Sequence, residues 1–286
     1  MTARLFLVSS ILPLMLLVPF AAAFQNATTG TPDSTLVDRA VAAELRTAQD
    51  THHPMRYRLR KSSPRMASTK DICETKDGAV ALLLAVNDQP LSMADEQKEQ
   101  TRLNALLSDP SKQRHRKQSE QDDTARAMKV LRALPKAFIF HFEGAGTGPT
   151  GRVEKFTFKP NPDFNPPDLE TEVLTAMTGE LWIDASEERI TRLEGHLQQD
   201  VDFGWGILGR LNKGGWIVIE QSDVGDRQWR IVRFQMVMSG RVLFKTRSFD
   251  TLEEESNFRP VSVGMGYVQA IKMLRAGSEA AVQSSR

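Results

Sequence analysis

GELWID (179–184), ERITRLEGHLQQDVDFG (188–204), GGWIVIEQSDV (214–224), QWRIVRFQMVMSG (228–240) and RVLFKTRSF (241–249) follow one another between Gly179 and Phe249. Turn-forming residues separate them: Asp184-Ala185-Ser186, Gly214-Gly215, Gly225-Asp226 and Ser239-Gly240. Leu193, Leu197, Val201 and Phe203 share one phase of the alternation, and Arg192, Glu194, His196, Gln198, Asp200 and Asp202 share the other. Successive side chains leave opposite faces of a strand, so this pattern predicts half-buried strands with one wet face. Val232, Phe234, Met236 and Met238 make a second apolar row, opposed by Ile231, Arg233, Gln235 and Val237. At least four successive antiparallel strands are expected here.

The 286 residues suit one large β-rich domain or two ordinary ones. With 37 basic and 36 acidic residues there is no global field to recruit nucleic acid, which is excluded as a partner. Two local stretches are basic: 52–70, with Arg56, Arg58, Arg60, Lys61, Arg65 and Lys70, and KQRHRK at 112–117. Both read first as solvated faces of a strand and a helix, although either suits phosphates or anionic lipid headgroups.

Arg4, an apolar run from Leu5 to Phe20, and Ala21-Ala22-Ala23 have the order of a secretory signal peptide (1–23) cleaved after Ala23. Pro13 and Pro19 interrupt the run, and it falls short of the ~20 residues a spanning helix needs. An uncleaved anchor is the alternative. The expectation is an exported protein, periplasmic or otherwise extracytoplasmic, and not integral to a membrane once cleaved. Asn26-Ala27-Thr28 matches a glycosylation sequon. Cys73 is the only cysteine, so no internal disulfide can form, and its strand-like context reads as a buried structural thiol.

After a flexible leader (24–34), a single domain is expected over 35–262. Asp33 or Ser34 can cap a helix with Leu36, Val37, Ala40, Val41, Ala43 and Leu45 at helical spacing, ended by His52-His53-Pro54. Adjacent histidines without a third ligand are a weak metal signal, and they read first as helix-end polar residues. Strands follow at 55–61, 68–75 and 79–86, the last two joined in hairpin fashion by Lys76-Asp77-Gly78. AVALLLAV is apolar on both phases, so both faces of that strand should be covered. The segment 92–134 reads as a helical insertion: one helix capped near Ser92 and ending before Pro110, then a second stopped by Pro135. Phe138, Phe140 and Phe142 lie in phase on the next strand, GTGPTG turns it into RVEKFTFKP, and the proline-rich 161–167 is a loop. LETEVLTAM (169–177) suits a short helix or a strand. After Phe249 the chain should stay extended and then end in a weakly helical tail (263–286). This adds up to an α+β, mainly β fold: a large curved antiparallel sheet of about nine to eleven strands with a helical lid.

Signals for chemistry are sparse. Ser186 or Ser222, His196 and Asp184 could be assembled into a triad, yet no Gly-x-Ser-x-Gly is present. Asp200 and Asp202 lie on one face but lack a third oxygen ligand. Gly204, Gly206 and Gly209 have dinucleotide-loop spacing without a following helix, so they are read as bends or bulges. No cofactor, metal or catalytic residue is expected. Trp182, Trp205, Trp216, Trp229 and several methionines crowd the strand half, which suits an apolar cavity or an ordinary core.

The order of elements, and the segment GELWIDASEERITRLEGHLQQDVDFG in particular, resembles the LolA/LolB-like group of exported proteins. That group includes outer-membrane lipoprotein-sorting proteins and regulatory relatives such as RseB. The resemblance covers roughly 35–260 and implies a half-barrel over a helical lid, with an apolar cavity that receives lipids or lipoprotein acyl chains. It also implies an arginine on an early strand that latches the lid, for which Arg56 and Arg58 are the candidates. The expectation is therefore a carrier or sensor that binds a lipid or acyl chain non-covalently, with no enzymatic step. Its cavity candidates are Leu193, Leu197, Val201, Phe203, Ile219, Val232, Phe234, Met236 and Phe244. The alternatives are an envelope interaction module with a filled core and a protein partner, or a hydrolase built on His196, Asp200 and Asp202.

Overall fold

The computed structural model describes residues 32–149, 151–203, 209–242 and 245–284. In chain order they form α1 (Pro32–Gln49), β1 (Met55–Ser62), β2 (Ala67–Cys73), β3 (Val80–Val86), β4 (Gln89–Pro90), α2 (Met93–Ser108) and α3 (Pro110–Ala137). Then come β5 (Phe138–Gly148), β6 (Gly151–Pro160), a short α4 (Leu169–Glu172) with a 3-10 turn, β7 (Met177–Asp184), β8 (Arg189–Leu197), β9 (Val201–Phe203) and β10 (Gly209–Leu211). The chain finishes with β11 (Trp216–Asp223), β12 (Trp229–Val242), β13 (Lys245–Pro260) and α5 (Tyr267–Ser284). The expected signal peptide, most of the leader, and Trp205 and Phe244 lie outside the described residues.

All the strands belong to one open sheet, ordered β4-β3-β2-β1-β13-β12-β11-β8-β7-β6-β5, with β10 on β12 and β9 on β10. Every pairing is antiparallel. The α+β, mainly antiparallel reading therefore holds, with 13 strands among the described residues rather than nine to eleven. The extra strands come from short pieces that periodicity cannot resolve. ERITRLEGHLQQDVDFG, read as one strand, breaks at 198–200 into β8 and β9, although Leu197 and Val201 both stay buried.

The ladder register explains the sequence alternation. Phe156, Leu181, Leu193, Ile219, Phe234 and Glu253 stand opposite one another in a single cross-strand row. The row on the other face reads Lys155, Trp182, Arg192, Glu220, Arg233, Glu254 and Arg60. Its charges alternate, with Arg192 paired to Glu220 and Arg60 to Glu254, and the Lys155 ammonium lies 3.8 Å over the Trp182 ring. Opposite charges directly across a ladder add cross-strand stabilisation on a face that water reaches.

The lid lies on the apolar face. Val37, Ala40 and Val41 of α1 and Leu134 and Ala137 of α3 share one buried cluster with Phe138, Phe156, Leu181, Ile183, Phe234 and Met236. The insertion does more than roof the sheet. On the opposite face, Leu103 and Leu106 of α2 pack with Cys73, Val80 and Leu82. Between those two positions, α2 and α3 close the free edge of β3. Glu120 accepts from the Ala79 N–H (3.0 Å), Glu99 accepts from the Leu83 N–H (2.8 Å), and Arg102 donates to the Ala81 carbonyl (2.6 Å). An uncovered strand edge templates aggregation, and here three side chains take its outward groups.

The C-terminal stretch corrects the expectation of a weakly helical tail. Ala270, Ile271 and Leu274 of α5 are fully buried against β3 and α2, supplying much of the second cover that AVALLLAV demanded. Their i, i+1, i+4 spacing is an apolar stripe, short enough to be outweighed by the polar residues that follow. Pro135 does not end α3 either; it sits inside the last turn, three residues before β5 begins.

Candidate site at the sheet and lid interface

The apolar face of the sheet is unevenly packed. Within the cross-strand row of the lid face, Leu181 and Phe234 are 1% and 3% exposed. Between them Leu193 and Ile219 remain partly exposed, as does Ile217 one step along β11, although all three sit mid-sheet on the lid face. Phe140, Phe203, Ile231 and Phe249 are likewise only partly covered, and so are Leu36, Leu45, Val130 and Leu131 on the lid helices. Apolar side chains of the sheet and of the lid helices thus meet there without complete mutual burial.

The predicted lining residues fall as follows. Leu197, Val201, Phe234 and Met236 are buried in the main cluster, while Leu193, Phe203 and Ile219 pack against it. Val232 is set apart by a β-bulge: Glu220 faces Arg233 and Gln221 faces Ile231, so Val232 is the extra residue and Ile231 takes the place on the cluster. Ile217 and Ile231 join the surface without having been singled out. Ile217 shares the phase of Ile219 and could have been found from that alone. Ile231 could not, because a bulge leaves no mark on a period-two pattern.

Lid attachment centres on a buried ion pair that the sequence did not reveal. Arg189 of β8 donates to both carboxylate oxygens of Glu44 of α1 at 2.9 and 2.8 Å, and to the Thr47 hydroxyl at 2.8 Å. Glu44 also accepts from the Ile190 N–H at 3.1 Å. Glu44 and Arg189 are 7% and 8% exposed, and the guanidinium stands 5.5 Å from the Trp229 ring. A bidentate, desolvated pair fixes direction as well as position. Arg56 and Arg58, the latch candidates, instead meet Asp71 of the neighbouring strand at 2.8 and 3.1 Å. They leave β1 on the face opposite Tyr57 and Leu59, and Arg56 lies against Gly277 of α5.

The residues considered for catalysis are engaged elsewhere. Asp202 is held by Arg210 at 2.6 Å, which also meets Asp200 at 3.3 Å; the hydrogen bond from Arg210 lowers the Asp202 pKa. His196 Nε2 lies 2.9 Å from Glu194, and the hydrogen bonds from His196 and Arg192 hold that carboxyl below its ordinary value. Asp184 closes its own turn, accepting from Ser186 Oγ and from the Ser186 and Glu187 N–H groups. Among the described residues no group of three or more His, Cys, Asp or Glu could hold a metal, and no helix is long and apolar enough to cross a membrane.

No family model matches the chain, and no curated protein matches it. Among solved structures it is similar to a putative outer membrane lipoprotein-sorting protein domain from Vibrio parahaemolyticus. That match has 11% identity over 80% of this chain and 93% of the other, with a TM-score of 0.28. A DUF1329 family protein from Desulfovibrio piger matches at 9% identity over 83% and 96%, with a TM-score of 0.28. MucB, solved in complex with MucA(peri), matches at 11% identity over 80% and 99%, with a TM-score of 0.22.

Proposed function

We propose that this chain is an exported cell-envelope protein that holds a lipid or an acyl chain, free or on a lipoprotein, between its sheet and its lid. Binding is non-covalent and assigns no catalytic residue or cofactor. The reading rests on one observation: Leu193, Ile217 and Ile219 stay partly exposed in the middle of the sheet, beneath helices whose Leu36, Leu45, Val130 and Leu131 are also incompletely covered. Burying apolar surface there stabilises a complex by roughly 25 cal/mol per Å². Glu253 stands opposite Phe234 at the end of the apolar row, an apolar stretch bordered by a carboxylate that suits an amphiphile. Mass spectrometry of an organic extract of the purified protein, with a fluorescent fatty-acid titration, tests this. Co-purifying lipid and saturable binding are expected; clean protein that ignores fatty acids contradicts it.

A second reading, an envelope interaction module, is favoured by β5. This edge strand leaves Ile139 and Phe142 45% and 38% exposed, which suits an extended segment of a partner protein added as a further strand. Proline at His141 should then abolish capture of that partner while leaving fatty-acid binding intact.

A further inference from the structure

A separate cavity of about 350 Å³ opens between the end of α1 and the middle of α3, near the small end of the range for ligand pockets. Its walls include Ala48 and Thr51 from the α1 side and Lys117, Glu120, Ala125 and Met128 from α3. None of these belongs to the apolar surface assigned to the acyl chain. The unusual member is Glu120. It is 9% exposed, and one carboxylate oxygen accepts from the Ala79 N–H at 3.0 Å. The other oxygen, also buried, has no hydrogen-bond partner among the described residues. Leaving a buried acceptor unpaired forfeits the solvation it would have in water, and native proteins rarely do so without a reason. Lys117, the cation on the same wall, does not supply the missing partner, because its ammonium donates to the Lys76 carbonyl at 2.9 Å.

We propose that this cavity is a second ligand site, taking a small molecule with an apolar body and a terminal N–H or O–H donor that pairs with the free oxygen of Glu120. Ala48, Ala125 and Met128 receive the apolar part, and the threonines and glutamines at the rim stay hydrated. The fixed Ala79 N–H gives the site a polarity that substitution can reverse. In Glu120→Gln that N–H still requires an acceptor, so the amide oxygen takes its place and the amide nitrogen lands where the free oxygen was. The site then offers a donor instead of an acceptor.

Calorimetry on the full chain with n-octanol, n-octylamine and octyl methyl ether tests this, the first two distinguishing a hydroxyl from an ammonium ligand. For the wild type, at least one donor probe should bind about tenfold tighter than the ether. Glu120→Gln should abolish that preference, with the octylammonium, which cannot accept, falling below the ether and the octanol, whose oxygen can accept, binding about as the ether does. Ala125→Phe, at the exposed rim, should abolish binding. Three results overturn the site: no binding by the wild type, an unchanged preference in Glu120→Gln, or binding that survives Ala125→Phe. Ile219→Gln, which impairs the sheet surface, should leave these affinities unchanged, so this site and the acyl-chain reading fail separately.

Discussion

Replacing Glu44 by alanine should cost far more than an ordinary surface change, although the residue is one charge on one helix. The substitution removes three hydrogen bonds, two from Arg189 and one from the Ile190 N–H. What remains is a guanidinium at 8% exposure whose surviving side-chain partner is Thr47. Breaking a buried pair by deleting one partner costs about 3–5 kcal/mol, because the other charge stays buried and uncompensated. Since domains are stable by about 5–15 kcal/mol, Glu44→Ala should approach the unfolding threshold. Urea unfolding followed by tryptophan fluorescence is a suitable assay, because Trp229 lies beside Arg189. The double change Glu44→Leu with Arg189→Met should recover part of the loss, since apolar replacements of a buried pair are often neutral, while the Ile190 N–H stays without its Glu44 acceptor. A loss under about 1 kcal/mol, or a double variant weaker than Glu44→Ala, would refute the claim that this pair holds α1 on the sheet.

Ile219→Gln should weaken fatty-acid binding about tenfold or more, the equivalent of one aliphatic side chain no longer buried against ligand, with the fold kept in circular dichroism. Leu274→Ala on α5 should destabilise by about 2–5 kcal/mol in the same urea assay, because Leu274 is fully buried; a surface-like effect would show that α5 is dispensable. Burial pushes the Cys73 thiol up to about 11, so below that pH it stays protonated, and a thiol reagent at mildly alkaline pH should label it only after denaturation. Arg102→Ala with Glu99→Ala uncovers the β3 edge, and light scattering on mild heating should report faster aggregation than for the wild type.

The sheet was legible because its alternation is a direct imprint of register. The phase shared by Leu193 and Leu197 is the lid face, and the phase of Arg192 and Glu194 is the charged face. Early strands and insertion helices were equally readable, since β1, β2 and β3 end within a few residues of their turn signals. What stayed hidden depends on contacts between distant segments. Nothing in VAAELRTAQ marks Glu44 as the partner of an arginine 145 positions on. The bulge at Val232 and the burial of α5 arise from pairing and packing partners that local pattern does not encode. The same holds for Arg56 and Arg58, whose basic run is plain but whose common partner Asp71 is identified only by the β1–β2 register.

The acyl-chain reading is tested most directly by a fatty acid carrying a photoreactive diazirine, cross-linked to the protein and mapped by peptide mass spectrometry. Adducts should concentrate on the peptides containing Leu193, Ile217 and Ile219 and on the facing turns of α1 and α3, with unlabelled fatty acid competing them away. Adducts confined to the charged face around Arg192, Glu220 and Arg233, or none that compete, would contradict it.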